Sequence, residues 1–309
     1  MPNKLYLECY SGISGDMTVA ALLDLGADQQ VLLEGLESLN LPGYQLKIGR
    51  VKKNGIDACD FDVILDEPEN HHDHDHEHEH HHEHHHDHEH EHHHDHDHEH
   101  HHDHDHEHHH DHDHEHHHDH DHEHHHDHDH EHHHHHDHVH RNIGDIFAII
   151  DQSKISDRAK QTAKDIFRII AAAESKAHGI AEDQVHFHEV GAVDSIVDIV
   201  SAAICLDNLD ITEAVVSDLY EGCGYVHCQH GLMPVPVPAV VNIAADNALR
   251  LRLTQTRGEM ITPTGAAIAA YLSKGGKLPE SFVIEKIGLG AGKKDFATAN
   301  ILRAFLIRD

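Results

Sequence analysis

The sequence predicts an α/β fold, with α+β as the alternative, in which a mixed-sheet domain is interrupted by a long disordered insertion. Three observations carry that expectation. Short stretches that alternate like strands are interleaved with stretches whose apolar residues recur at helical spacing. Turn signals such as Pro42-Gly43 and Asn54-Gly55 separate them. Between the two groups, residues 71–138 contain only His, Asp and Glu, 44 of them His and 24 acidic. Five tandem copies of HHHDHDHE run from His92 to Glu131. Such a tract has no apolar side chain to bury, so no packed core can form from it.

The elements follow in order. Lys4–Glu8 alternates and reads as a strand, running into the loop Ser11–Asp16. Met17–Leu25 and Gln30–Leu39 read as helices, closed by Gly26 and by Pro42-Gly43. Gln45–Val51 and Cys59–Leu65 read as a strand pair across Asn54-Gly55. This gives a βααββ unit over residues 1–66, a disordered His-rich linker over 67–140, and an α/β main domain over 141–309. In the last, Asn142–Gln152 and Ser156–His178 read as helices, the second with Ala163, Ile166, Phe167, Ile170 and Ala173 at 3.6 spacing behind a Ser156 cap. Val193–Leu209 reads as an apolar helix, Ala214–Leu219 as a strand, and Glu221–Pro238 as a Gly-, His- and Pro-rich loop. Helices at Ala239–Ala248 and Gly265–Ser273 and strands at Leu249–Leu253, Phe282–Ile287 and Asn300–Ile307 complete the pattern.

Composition narrows the function. The formal charge is −35, and the tract's acids account for −24 of it, leaving −11 on the other residues. That balance argues against nucleic acid as a partner. No apolar run is long enough to span a membrane, and the start MPNKLYLECYSG lacks the apolar core of a signal peptide. The five cysteines are scattered and form no CxxC pair, which suits a reducing cytoplasm better than a disulfide framework. The tract offers the ligands that borderline divalent metals take, with copper and nickel favoured over manganese by the ordinary affinity order.

Four stretches carry chemistry. In CYSGISGD (Cys9–Asp16), two glycines and a helix start suit an anion, with Ser11, Gly12, Ser14, Gly15 and Asp16 as binding residues; a tight turn capped by Ser14 or Asp16 explains the same residues. In VHFHEVGAVDSIVD (Val185–Asp198), His186 and His188 share one face of an extended segment, Glu189 is adjacent, and Asp194 and Asp198 share a helix face in an apolar stretch. Acids in such a helix are costly unless paired or metal-bound, so the group reads as a divalent-metal or acid–base cluster, or as capping acids of an amphipathic helix. In GCGYVHCQHGLMPVPVP (Gly222–Pro238), Cys223, His227, Cys228 and His230 suit a softer metal but match no closed zinc motif; a rigid surface loop is the alternative. In MITPTGAA, Thr262 fits an N-cap with Pro263 at the first helical position, and Thr264 and Gly265 follow; an anion site and a plain cap are both open.

Together, CYSGISGDM, VHFHEVGAVDSIVDIV, HCQHGLMPVPVPA and ITPTGAA resemble the signatures of the LarC nickel-insertion proteins, over almost the whole chain outside the tract. The resemblance implies nickel insertion into pyridinium-3,5-bisthiocarboxylic acid mononucleotide, a lyase-class reaction in maturation of the lactate racemase cofactor. It implies dependence on CTP with Mn²⁺ or Mg²⁺ through a C-terminal domain that is absent here, so the C-terminal part of the same protein is an expected partner, and lactate racemase a further one. Whether the chain forms a homo-oligomer is left open. On this reading Glu189 and Asp194 are catalytic, and His186, His188, Glu189, Asp198, His227 and His230 are metal ligands. The substrate's phosphate lies on the Ser11–Asp16 loop or at Thr262, Thr264 and Gly265. Two other classes compete: a non-catalytic nickel store or delivery chaperone, for which the tract would suffice, and a metal-dependent hydrolase, weakened by the lack of HExxH.

Overall fold

The computed structural model describes residues 3–66, 141–185, 193–228 and 230–308. The tract and the expected linker over 67–140 lie outside the described residues. Before it come Asn3–Glu8 (β1), Gly15–Leu25 (α1), Gln29–Glu37 (α2), Tyr44–Lys53 (β2) and Ile56–Leu65 (β3). After it come Ile143–Gln152 (α3), Asp157–His178 (α4), Val193–Asn208 (α5), Ile211–Val216 (β4) and Leu219–Cys223 (β5). Then follow Tyr225–Cys228 (β6), Gly231–Pro234 (β7), Pro238–Asp246 (α6), Leu251–Arg257 (β8), Pro263–Leu272 (α7), Val283–Ala291 (β9) and Ile301–Arg308 (β10).

Six strands form one mixed sheet in the order β2-β3-β9-β10-β1-β4. β1 runs parallel to β4 and antiparallel to β10, so the sheet has the mixed character the sequence implies. Strands from before and after the tract share this sheet, so the two segments drawn separately from the sequence fold as one compact unit. β2 and β3 turn at Asn54 and Gly55, whose φ values of 50° and 83° are those of a type I′ hairpin.

One sheet face carries the helices. Leu5 and Leu7 of β1 and Leu302, Ala304 and Leu306 of β10 point into a core with α1, α4, α5 and α7. α1 lies almost on the backbone of β9. A Cβ at Gly290 would stand 2.0 Å from the Met17 carbonyl oxygen, and one at Gly288 2.1 Å from that of Ala21. These two glycines set how deeply α1 sinks towards the sheet along its length, from Met17 to Leu25. α4 is capped by Ser156, whose hydroxyl accepts from the Ala159 amide at 3.0 Å, and ends on Gly179 at φ 65°.

Two elements depart from expectation: the strand read at Ala214–Leu219 runs from Ile211 to Val216, with Leu219 opening β5 in another sheet, and the expected loop after it is partly strand. The stretch Glu221–Pro238 is not a loop throughout: it completes β5 and forms the β6–β7 hairpin, with Val226 opposite Met233 and His227 opposite Leu232. Its prolines and glycines hide the alternation of Tyr225–Cys228, yet Pro234 closes the last strand, where the lost N–H costs no interior ladder bond.

Candidate active site

The first motif is stitched to the fourth. The Ile13 amide donates to the Met260 carbonyl at 3.0 Å, and the Thr262 amide donates back to Ile13 at 3.1 Å. Gly12 sits at φ 89°, and a Cβ there would stand 2.1 Å from the Met260 carbonyl oxygen. A Cβ at Gly265 would stand 2.2 Å from the Ile13 carbonyl oxygen. Both glycines therefore serve close backbone packing. Beneath them, fully buried Glu221 accepts at one oxygen from the amides of Gly222 (2.7 Å), Met260 (2.7 Å) and Ile261 (3.2 Å). Burial pushes this carboxyl up to about 7, against the lowering effect of those amides.

At the start of α1, where the sequence suggests an anion site, a carboxyl group of the protein takes the position. The Asp16 amide donates to Asp198 of α5. Gly15 makes room for it: a Cβ there would stand 2.4 Å from Asp198 Oδ2. The Ser14 hydroxyl donates to Asp16, bringing a second carboxyl close by. Burial raises the pKa of Asp198 well above the carboxylate range, and the neighbouring charges of Asp16 and Asp194 raise it further. Burial also raises Asp194 and Asp16. The Oδ1 atoms of Asp194 and Asp198 are buried and have no hydrogen-bond partner among the described residues. Lys293, paired with Asp60 at 2.7 Å and Asp62 at 3.3 Å, is the cation that offsets this acidity. The result is a desolvated carboxyl cluster that holds protons more readily than exposed carboxylates do.

These acids face a cavity of about 520 Å³. Ser14, Gly15, Asp16, Asp194, Asp198, His227, His230, Thr262 and Thr264 all line it. So do Cys228 from the hairpin and Glu174 and His178 from the last turn of α4. The Thr262 hydroxyl caps α7 by accepting from the Gly265 amide at 3.1 Å, and Pro263 has no N–H, so this helix start keeps few amides for an anion. Ser11 lines a separate cavity with Tyr10 and Arg303. Cys223 is not in the lining. His186, His188 and Glu189 lie outside the described residues. Among the described residues, no three His, Cys, Asp or Glu side chains are grouped to hold a metal ion.

Sequence reasoning passes over Glu174, His178, Glu221 and Lys293. Glu174 and His178 are legible as an i, i+4 pair one turn apart on α4. Glu221 and Lys293 have no local signal, because their partners are far away in sequence.

No helix among the described residues is long and apolar enough to cross a membrane. A family profile described as "Nickel insertion protein" matches residues 5–309. Three similar proteins carry the name pyridinium-3,5-bisthiocarboxylic acid mononucleotide nickel insertion protein. That of Alkaliphilus metalliredigens is 55% identical over 310 residues, covering 100% of this chain and 61% of the relative. That of Clostridium acetobutylicum is 43% identical over 98% of this chain and 63% of the relative. That of Acetivibrio thermocellus is 36% identical over 98% and 60%. The chain thus spans 60–63% of the length of these relatives. No solved structure matches it. The chain belongs to the nickel insertion protein family.

Proposed function

We propose that the chain inserts nickel into pyridinium-3,5-bisthiocarboxylic acid mononucleotide, the compound its relatives are named for, to form the nickel-pincer cofactor of lactate racemase. The reading is of a CTP-dependent reaction of the lyase class, in a cytoplasm that keeps the five free cysteines reduced. One observation supports it best: residues from four distant stretches line a single cavity that combines imidazoles with a desolvated carboxyl cluster. Its volume, about 520 Å³, lies within the rough 300–1,000 Å³ of small-molecule sites and suits a mononucleotide.

Nickel enters as a substrate. Its two sulfur ligands are the thiocarboxylates, and its carbon ligand is the ring carbon between them. That carbon's C–H bond breaks, its electron pair becomes the nickel–carbon bond, nickel stays divalent, and the proton passes to a base. Glu189 and Asp194 are the proposed bases; Asp194 Oδ1 is buried without a partner among the described residues, and burial makes it a stronger base than an exposed carboxylate. His186, His188, Glu189, Asp198, His227 and His230 are proposed nickel ligands. The phosphate is proposed to lie against the cavity side of Thr262 and Thr264, because Asp198 occupies the start of α1 beside Ser14. No nucleotide site with Mn²⁺ or Mg²⁺ is assigned among the described residues. CTP use is assigned to the part of the relatives beyond the matched segment.

The test is to combine the chain, nickel and the pyridinium compound, with and without CTP, and with and without the C-terminal part of a full-length relative. The product is followed by mass. Product that needs both additions supports the reading. No product under any condition, from a chain that binds many nickel ions through its 44-His tract, favours storage and delivery instead.

A further inference from the structure

We infer that His178 and His230 form a two-imidazole site that receives nickel at the cavity wall, with Glu174 orienting His178; this rests on the nickel-insertion reading above. The two rings come from separate elements, the end of α4 and the turn between β6 and β7, and both line the cavity. Their centroids are 4.9 Å apart and their planes tilted by 53°, so they are not stacked face to face. An imidazole nitrogen binds such a metal at ~2.1 Å, which puts each centroid ~3.2 Å from the ion; centroids 4.9 Å apart then subtend roughly 100° at the metal. That angle suits two ligands of one ion.

Glu174 lies one helical turn before His178, with its Oε2 3.4 Å from His178 Nε2. A carboxylate beside one ring nitrogen favours the proton there and leaves the other nitrogen as the lone-pair donor. Imidazole suits nickel, whereas the Asp16 and Asp194 carboxyls elsewhere in the lining suit harder ions or protons. His227 and Cys228 line the same cavity and extend this softer wall. No third His, Cys, Asp or Glu among the described residues closes the group. An open coordination sphere is what a transfer site needs: it holds the ion while leaving positions for the substrate's two sulfurs.

The experiment is histidine modification by diethylpyrocarbonate on the full chain, with per-residue readout by fragmentation mass spectrometry. Nickel is supplied at a buffered free concentration, so that the tract cannot deplete it. Saturating nickel should slow modification of His178 and His230 together by about tenfold or more, because a metallated nitrogen cannot react. In His178→Ala, protection of His230 should disappear at the same free nickel. Glu174→Gln should raise the nickel needed for half-protection by about 10–100-fold, while melting without nickel stays unchanged. Equal modification of both residues with and without nickel would overturn the site. Protection of His230 that survives His178→Ala would also overturn it. The two readings separate cleanly: protection without nickel insertion removes the proposed reaction and leaves the site, whereas insertion without protection does the reverse.

Discussion

Replacing Gly15 with Ala tests the closest contact in the site. A Cβ there would meet Asp198 Oδ2 at 2.4 Å, Cβ at 2.7 Å and Cγ at 2.9 Å, where ordinary contact begins at 3.4 Å. Asp198 Oδ2 can swing aside but its Cβ cannot, so the start of α1 and α5 must separate by about 0.7 Å. Overpacking of this kind costs about 1–3 kcal/mol. Helix propensity gives back at most ~1 kcal/mol, so a net loss of about 1–2 kcal/mol is expected. Urea unfolding followed by circular dichroism should show a lower midpoint with an unchanged slope. In the Gly15→Ala, Asp198→Ala double variant the carboxylate is gone and only the 2.7 Å Cβ contact remains, so part of the loss should return as a coupling of about 0.5 kcal/mol or more. A Gly15→Ala chain as stable as the parent, or strict additivity in the double variant, would refute the packing of α1 on Asp198.

Three further perturbations follow from the same geometry. Asp198 has a raised folded-state pKa, so its carboxyl favours the fold below the unfolded value of ~3.9 and loses that advantage as pH climbs through the folded value, by ~1.4 kcal/mol for each pH unit between the two. Asp198→Asn should therefore flatten the fall in stability with rising pH while abolishing insertion; an unchanged pH dependence of melting would contradict the burial of this group. Glu221→Ala strands the amides of Gly222, Met260 and Ile261 and should cost about 2–4 kcal/mol. Glu221→Gln should cost less, and should remove a loss of stability that develops as pH rises from ~4.3 through about 7, read by melting across that range. Deleting residues 71–138 should leave insertion unaffected at ample nickel and slow it when nickel is scarce, measured as rate against free nickel; loss of activity at every nickel concentration would make the tract part of the chemistry.

Much of the fold is written locally. The strands at Lys4–Glu8 and Cys59–Leu65, the Asn54-Gly55 turn and the Ser156 and Thr262 caps all rest on signals within a few residues, and most of their ends hold to within a residue or two. The β6–β7 hairpin is obscured because its prolines and glycines look like loop punctuation, although one of them only ends an edge strand. The candidate site is legible as a set of stretches but not as a geometry. Ser14, Asp16, Asp194, Asp198, His227 and His230 do converge, yet the helix start that reads as a phosphate cradle is filled by Asp198, a residue 182 positions from Asp16. Gly12 and Gly265 look like ligand-approach glycines and instead admit backbone. Such long-range roles, like that of Glu221 beneath Met260, depend on tertiary partners that no local pattern encodes.

The measurement that bears most directly on the central claim is the fate of one hydrogen. The pyridinium compound would be deuterated at the ring carbon between its two thiocarboxylates and incubated with the chain, nickel, CTP and the C-terminal part of a full-length relative. A cyclometallation account predicts a nickel-containing product that has lost the deuterium, with the loss suppressed in Asp194→Asn, whose side chain can no longer take the proton. A nickel adduct that keeps its deuterium would show chelation through sulfur alone and would contradict the account.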